Sequence, residues 1–322
     1  MLGGGVFVTQ NKILPGSYIN FVNATKASST VGERGTVAIA LALGKAYDSA
    51  ELAPLREIFC NATKCLIYDL GTSKTAQNAV DALEPYDFNV LCAYTDVAED
   101  VALYIARVKD WRDAVGKKCQ LVVYNTADVD HEGVINVVST VADEDAEAYA
   151  LVAWVAGAEA GCPINESRTN AKYNGEYTVV TDKTQTQLET CLKNGEFAFH
   201  LVYGEVRVLE DINSLTTTSV DKGEDFKSNQ TIRVIDQIAN DIAKLFNTKY
   251  LGKIPNNASG RVSLWADIVA HHRQLESIQA IENFDSALVT VEQGANKKSV
   301  VVNDVVTVVN AMAQLYMTVV IQ

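Results

Sequence analysis

Residues 63–128, TKCLIYDLGTSKTAQNAVDALEPYDFNVLCAYTDVAEDVALYIARVKDWRDAVGKKCQLVVYNTAD, alternate β-like with helical runs. TKCLIYD (63–69), FNVLCAYTD (88–96) and CQLVVYNTAD (119–128) are short, apolar and rich in β-formers. Between them, SKTAQNAVDALEP and VAEDVALYIARVKDWRDAV carry apolar residues at helical spacing, with Val101, Ile105, Val108 and Trp111 as one stripe. Strands alternating with helices predict an α/β layer with a mostly parallel sheet. Upstream, ERGTVAIALALGK (33–45) reads as another strand, and downstream so does VINVVST (134–140).

Further along, DEDAEAYALVAWVAGAEAG (143–161) reads as an alanine-rich helix. Asp143 is its expected N-cap, with Glu144, Asp145 and Glu147 suited to the positive end of the helix dipole. A short helix, TQTQLETCLKNG, and two strands, EFAFHLVYG and EVRVLEDI, follow before the polar TTTSVDKGEDFKSNQ. TIRVIDQIANDIAKLFN (231–247) then places Ile232, Ile235, Ile238, Ala239, Ile242, Leu245 and Phe246 on one helical face. A second helix, LWADIVAHHRQLESIQAI, precedes the strand-like LVTVEQG, SVVVNDVVTVV and YMTVVIQ. The expected fold class is therefore an α/β domain with a mixed, mostly parallel sheet, followed by a C-terminal α+β domain. The boundaries are an extended arm over 1–22, the α/β domain over 23–215, the α+β domain over 216–309 and a terminal strand over 310–322.

The chain has 322 residues, 48% hydrophobic and 21% charged, with only 5 prolines, which is globular rather than disordered. It contains no apolar run of about 18 residues, and MLGGGVFVTQNK lacks the features of a signal peptide, so synthesis in a cytoplasm without membrane insertion is expected. The net charge of −13 is unevenly distributed. Residues 231–322 hold eight basic and eight acidic side chains, leaving 19 basic against 32 acidic in residues 1–230. An acidic surface disfavours nucleic acid as a partner. Cys60, Cys65, Cys92, Cys119, Cys162 and Cys191 have no C-x-x-C spacing and are read as reduced thiols, mostly in apolar runs.

The enzyme-like feature is three predicted strands ending in Asp69, Asp96 and Asp128, where ligands gather in open α/β sheets. The competing expectation is that each caps the following helix, with Asp96 and Glu99 forming a near capping box. No phosphate-binding glycine motif, G-x-S-x-G or H-E-x-x-H occurs, so no catalytic residue, cofactor or metal ligand is assigned. His271 and His272, adjacent on a helix, are expected to point to different faces and not to share a metal.

The C-terminus is the strongest physical signal. YMTVVIQ has five apolar residues in seven and no charge, a segment that natural proteins pair or blunt. SYINFV near the start also lacks a hairpin partner of its own. Both are expected to pair outside their neighbourhood in sequence.

PGSYINFV, ERGTVAIALALG, AGAEAGCPINESRTNAKYNG and FHLVYGEVRVLEDINSLTT resemble, in that order, blocks of the contractile tail sheath proteins of bacteriophages and phage-tail-like bacteriocins. RVIDQIANDIAKLFNTKYLGKIPNNASGR, NFDSALVTVEQG and VVVNDVVTVVNAMAQLYMTVVIQ are similar to the family's C-terminal region. A tryptophan-glycine-proline after the ERGTVAIALALG strand is missing; GKAYDS stands there. The resemblance implies a non-enzymatic homo-oligomer in a virion tail or tail-like particle: stacked rings around an inner tail tube protein, bounded by baseplate and tail terminator proteins. It implies donation of strands to neighbouring subunits. At the N-terminus the donor is Ser17, Tyr18, Ile19, Asn20, Phe21 and Val22. At the C-terminus it is Leu315, Tyr316, Met317, Thr318, Val319, Val320 and Ile321. The implied acceptors are Leu288, Val289, Thr290 and Val291 with Val300, Val301, Val302, Val305 and Val306. Gly16, Asn310 and Gln314 are the implied hinges. A non-contractile self-assembling tube and an acidic-site α/β enzyme are the other readings.

Overall fold

A computed structural model of the chain describes residues 18–22, 34–42, 52–313 and 315–320. Gly16, Ser17, Gln314 and Ile321 lie outside the described residues. Two compact units emerge: the first runs to Pro163 and from Ser167 to Ile232, and the second comprises Ile164–Glu166 and Arg233 onward.

The first unit is built on a seven-stranded sheet. Its strands are β1 (Tyr18–Val22), β2 (Thr36–Leu41), β3 (Lys64–Asp69), β4 (Val90–Cys92), β5 (Gln120–Tyr124), β6 (Val134–Val137) and β7 (Glu196–Phe197). They lie in the order β1-β3-β2-β4-β5-β6-β7, and every pairing is parallel except β1 on β3. The near-continuous apolar runs follow from this arrangement, because a parallel sheet is covered on both faces.

The two-residue period then sorts the side chains. Val37, Ile39, Cys65, Ile67, Val90, Cys92, Val122 and Ile135 enter one core together with α1 (Ala53–Phe59) and α4 (Leu151–Gly161). Ala38, Leu66, Tyr68, Leu91, Leu121, Val123 and Val134 enter the other with α2 (Ala76–Leu83) and α3 (Ala98–Asp110), whose Val101, Tyr104 and Val108 face inward. Residues 151–160 of α4 are all buried, as expected of a helix apolar all round. A side chain at Gly157 would meet the Ile58 carbonyl oxygen at 2.3 Å, so only glycine lets α4 approach α1 this closely. Trp154 of the same helix is buried against the rings of Tyr173 and Phe199, its indole N–H donating to Asn174 Oδ1 at 2.8 Å. Nearby, buried Glu57 accepts from the Tyr173 hydroxyl and the Glu176 N–H, each at 2.7 Å, and burial pushes its carboxyl above the ordinary range.

The expected caps are corrected. Thr75, not Asp69, caps α2, in a reciprocal box with Asn78. Asp69 instead accepts from the Gly71 N–H at 2.8 Å, an Asx turn that ends the strand. Val97 stands at the N-cap of α3 with no side-chain bond, so Asp96 does not cap it, and no helix follows Asp128, which takes a positive φ of 56°. Asp143 is not a cap either, since α4 starts at Leu151. Its carboxylate accepts from the Thr178 N–H at 2.7 Å, and Ala142 N–H bonds Thr178 O at 2.8 Å, so extended pairing holds this stretch out of the helix. The unit also holds α5 (Gln185–Lys193), capped by Thr184, and the hairpin of β8 (Phe199–Val202) and β9 (Glu205–Val208). Positive φ at both Tyr203 and Gly204 matches a two-residue turn between them. All six cysteines are free, five of them buried and Cys60 half-buried.

In the second unit, α6 (Asn229–Leu245), which begins four residues before the division between units, continues into a wide turn over Phe246–Tyr250. α7 (Ala258–Ser277) follows, capped by Asn257. Four short strands form two separate antiparallel pairs. β10 (Ile281–Glu282) lies on β13 (Thr307–Val308), and β11 (Thr290–Gln293) lies on β12 (Val300–Asn303). A small core of Tyr250, Leu264, Ile268, Val269 and Val289 sits between helices and hairpin, with the Trp265 indole N–H bonding Val289 O at 3.0 Å.

Candidate assembly surface

The terminal segment is apolar in sequence and uncovered in space. Residues 309–313 and 315–320 form no strand, and Leu315 is 85% exposed, Met317 75% and Val320 79%. Among the described residues of this segment, none pairs with a strand of its own chain. Water meets Met312, Leu315, Met317, Val319 and Val320 together, an arrangement monomeric proteins rarely keep.

The proposed acceptor residues divide. Thr290 and Val291 lie on β11 and Val300, Val301 and Val302 on β12, paired Val291↔Val302 and Glu292↔Val301. Leu288 is corrected to a single 3-10 turn, Ser286–Leu288, and Val289 follows it with its side chain buried in the core. Val305 and Val306 fall in the connection between β12 and β13, where Asp304 is tied to α7 and no ladder forms. A two-stranded sheet of four residues each leaves ladder groups open on both outer edges. Val301 and Val302, on opposite faces by the two-residue period, are both exposed. Beside the hairpin lies a groove lined by Phe246, Tyr250, Ile254, Leu264, Val300, Arg261 and Lys298.

α6 contributes to the same pattern. Its predicted apolar stripe is present, yet Ile235, Ile238, Ala239, Ile242, Leu245 and Phe246 are only half-buried, while Ile232 is covered. Among the described residues, 13 of the 18 exposed large hydrophobics belong to the second unit, and this marks it as the sticky part of the chain.

At the other end, Tyr18–Val22 pairs antiparallel with β3 of its own chain, Tyr18↔Tyr68 through Val22↔Lys64. The strand thus finds a partner outside its neighbourhood in sequence, on β3 of the same chain. β3 would otherwise be the open edge of the parallel sheet, and β1 covers it.

Catalytic and metal readings were built from carboxylates. Asp69, Asp96 and Asp128 do not converge: among the described residues one group of three ligand-type side chains does, Asp113, His131 and Glu132. The His131 ring is committed elsewhere. Its Nδ1 accepts from the Gly133 N–H at 2.9 Å, so Nε2 carries the proton and faces Asp113 Oδ2 at 3.3 Å. A metal at Nε2 would force a proton onto Nδ1, against that backbone donor. Burial also holds His131 below the usual imidazole range. Burial raises Glu132, but the hydrogen bond from Lys222 Nζ at 2.8 Å outweighs it and holds the carboxyl below the ordinary range. The cluster is an ion-paired buttress.

Two family models match in succession: the phage tail sheath protein central domain over residues 71–214, and the phage tail sheath C-terminal domain over residues 221–322. The chain is 32% identical over 267 residues to the uncharacterized protein YqbK of Bacillus subtilis, covering 77% of this chain and 57% of that one. It thus spans under two thirds of the length of this curated relative. Its fold matches the crystal structure of the sheath tail protein of Desulfitobacterium hafniense with a TM-score of 0.78 at 25% identity, over 91% of this chain and 97% of that one. It also matches the helical sheath of the anti-feeding prophage in its contracted state, with a TM-score of 0.70 at 12% identity, over 99% of each chain.

Proposed function

The chain belongs to the phage tail sheath family, and we propose that it is a structural subunit of a contractile sheath that polymerises helically around an inner tube. The observation that carries this reading is the uncovered apolar segment Leu315–Val320, on the same unit as a hairpin with open edges. The segment of one subunit adds to the hairpin of the next. Burying Leu315, Met317 and Val319 contributes about 1.5–3 kcal/mol each. Ordering the backbone opposes it at about 1–2 kcal/mol per residue. One donated strand is then weak, and many linked copies hold firmly. Donor and acceptor occupy different surfaces, a heterologous contact that propagates as a helix when it does not close.

The N-terminal strand donates only after leaving β3, so the C-terminal segment forms the first link. Asn310 and Gln314 act as the joint that lets globular bodies rotate while strands stay paired. The subunit carries out no catalysis, works in a virion tail or tail-like particle, and meets the inner tube, baseplate and terminator as partners. Electron microscopy of the concentrated protein tests the reading. Tubes or stacked rings are expected; monomers that persist at high concentration would overturn it.

A further inference from the structure

The groove beside the β11–β12 hairpin is held in shape by Asn256. Its side-chain N–H donates to Lys297 O at 3.1 Å and to Ser299 O at 2.9 Å, which ties the loop before α7 to the hairpin. Its Oδ1 accepts from the Arg261 guanidinium at 3.1 Å. Phe246, Tyr250, Leu251, Ile254, Leu264 and Val300 make the lining largely apolar. The cations here lack counter-charges. Arg261 and Lys298 line the groove, and Lys253 and Lys297 adjoin lining residues in sequence. Among the described residues none of these four meets a carboxylate; Lys253 and Arg261 bond backbone and amide oxygens instead. Lys249, by contrast, is paired with Asp267 at 2.5 Å. The terminal segment does not answer this lining, because residues 305–322 carry no charge. The complementary occupant is apolar at its centre and acidic around it.

The first unit carries such a surface. No lysine or arginine occurs from residue 75 to 106 or from 119 to 167. Two loops from these stretches meet where the Tyr94 and Tyr149 rings pack edge to face, 4.9 Å between centroids. One presents Asp96, Val97 and Glu99; the other presents Glu144, Asp145 and Glu147. All six are exposed, Val97 by 48%, and none of the five carboxylates is in an ion pair among the described residues. Burial, and after it the charges of Glu147 and Asp96, hold the Tyr149 hydroxyl above the ordinary phenol range, so both loops bear on one ledge. We propose that the groove of one subunit receives the acidic ledge of a second copy. Val97 enters the apolar lining, and the carboxylates meet Lys253, Arg261, Lys297 and Lys298.

The role of this contact rests on the sheath reading. Charges act over about 8 Å at physiological ionic strength, farther than a hydrogen bond reaches. The contact therefore steers and orients an arriving subunit before its terminal segment pairs. Ledge and groove are different surfaces, so this contact is heterologous, as strand donation is, and the two propagate together.

The test is sedimentation of the full chain from about 0.1 to 1 M salt, which reads pairwise association in dilute solution and polymer at higher concentration. Wild-type pairing should weaken about tenfold across that range. Lys297→Glu with Lys298→Glu, and Asp96→Lys with Glu147→Lys, should each weaken pairing about tenfold in low salt. All four changes in one chain should restore it to within about threefold, because swapped ledge then meets swapped groove. The four positions are exposed, so the variants should fold; circular dichroism checks this, and Lys298→Gln and Asp96→Asn replace any that do not. Swapped chains that pair like the wild type, or a fourfold variant no better than either double, would overturn the proposal. Loss with the groove variant alone would also overturn it, by giving the groove to an acidic partner other than this chain. Wild-type tubes that ignore the charge swaps would sink the contact and leave the sheath reading. Charge-dependent pairing that never yields tubes would sink the sheath reading and leave the contact, and neither pairing nor tubes in low salt would sink both.

Discussion

The two units of this chain satisfy the same physical demands to different degrees. The first covers both faces of a seven-stranded sheet with four helices, and its edge strand β3 is capped by β1. The second has two separate two-stranded pairings, a half-covered helical stripe and an uncovered apolar end. A structure that closes its own ladders and buries its own side chains has no energetic reason to associate. One that leaves both open does. The difference separates the body of the subunit from its means of assembly.

The contrast breaks most visibly in the core of the first unit. Trp154→Ala should cost about 3–5 kcal/mol, because it opens a cavity beside Tyr173 and Phe199 and removes the donor to Asn174 Oδ1. Chemical denaturation should show that loss in the unfolding of the body. Removing Leu315–Gln322 should do the opposite: leave the body's unfolding midpoint unchanged and abolish polymers in sedimentation. A truncated chain that still polymerised would break the comparison.

A smaller effect is expected at the hairpin. Val301→Asp replaces a half-exposed valine, so monomer stability should move by roughly 0.5 kcal/mol or less while assembly weakens severalfold. Equal loss in both measurements would mean that Val301 serves the fold instead. The smallest effect concerns Glu57. Its folded carboxyl titrates above the unfolded one, so between the two values the native state holds more protons and stability falls as pH rises. Glu57→Gln should flatten that decline in a series of denaturation midpoints, without altering assembly.

Much of the body was legible from residues 63–128, because a two-residue period and a helical period are local properties. The apolar runs placed β3, β4 and β5, and alanine-rich 143–161 predicted a helix, which forms over Leu151–Gly161. The caps were not legible. Asp143 looks like an N-cap until Thr178, 35 residues later, takes its carboxylate. Which strand Tyr18–Val22 lies on was not legible, because the open edge of β3 exists only once β2 has paired on the other side. His271 and His272 were expected to face apart because helical neighbours are about 100° apart. Their rings turn toward each other, each outer nitrogen held by a carboxylate at least 30 residues away.

By itself, the sequence determined the α/β alternation and the adhesive character of LYMTVVIQ, since both depend on composition and spacing within a few residues. Tertiary structure decided which groups already had partners. It spent the carboxylates of Asp69 and Asp143 on turns and loops, closed one sheet edge with β1, and left Leu315–Val320 uncovered. The physical reason is that hydrogen-bond and apolar satisfaction are properties of neighbours in space, which local periodicity does not encode.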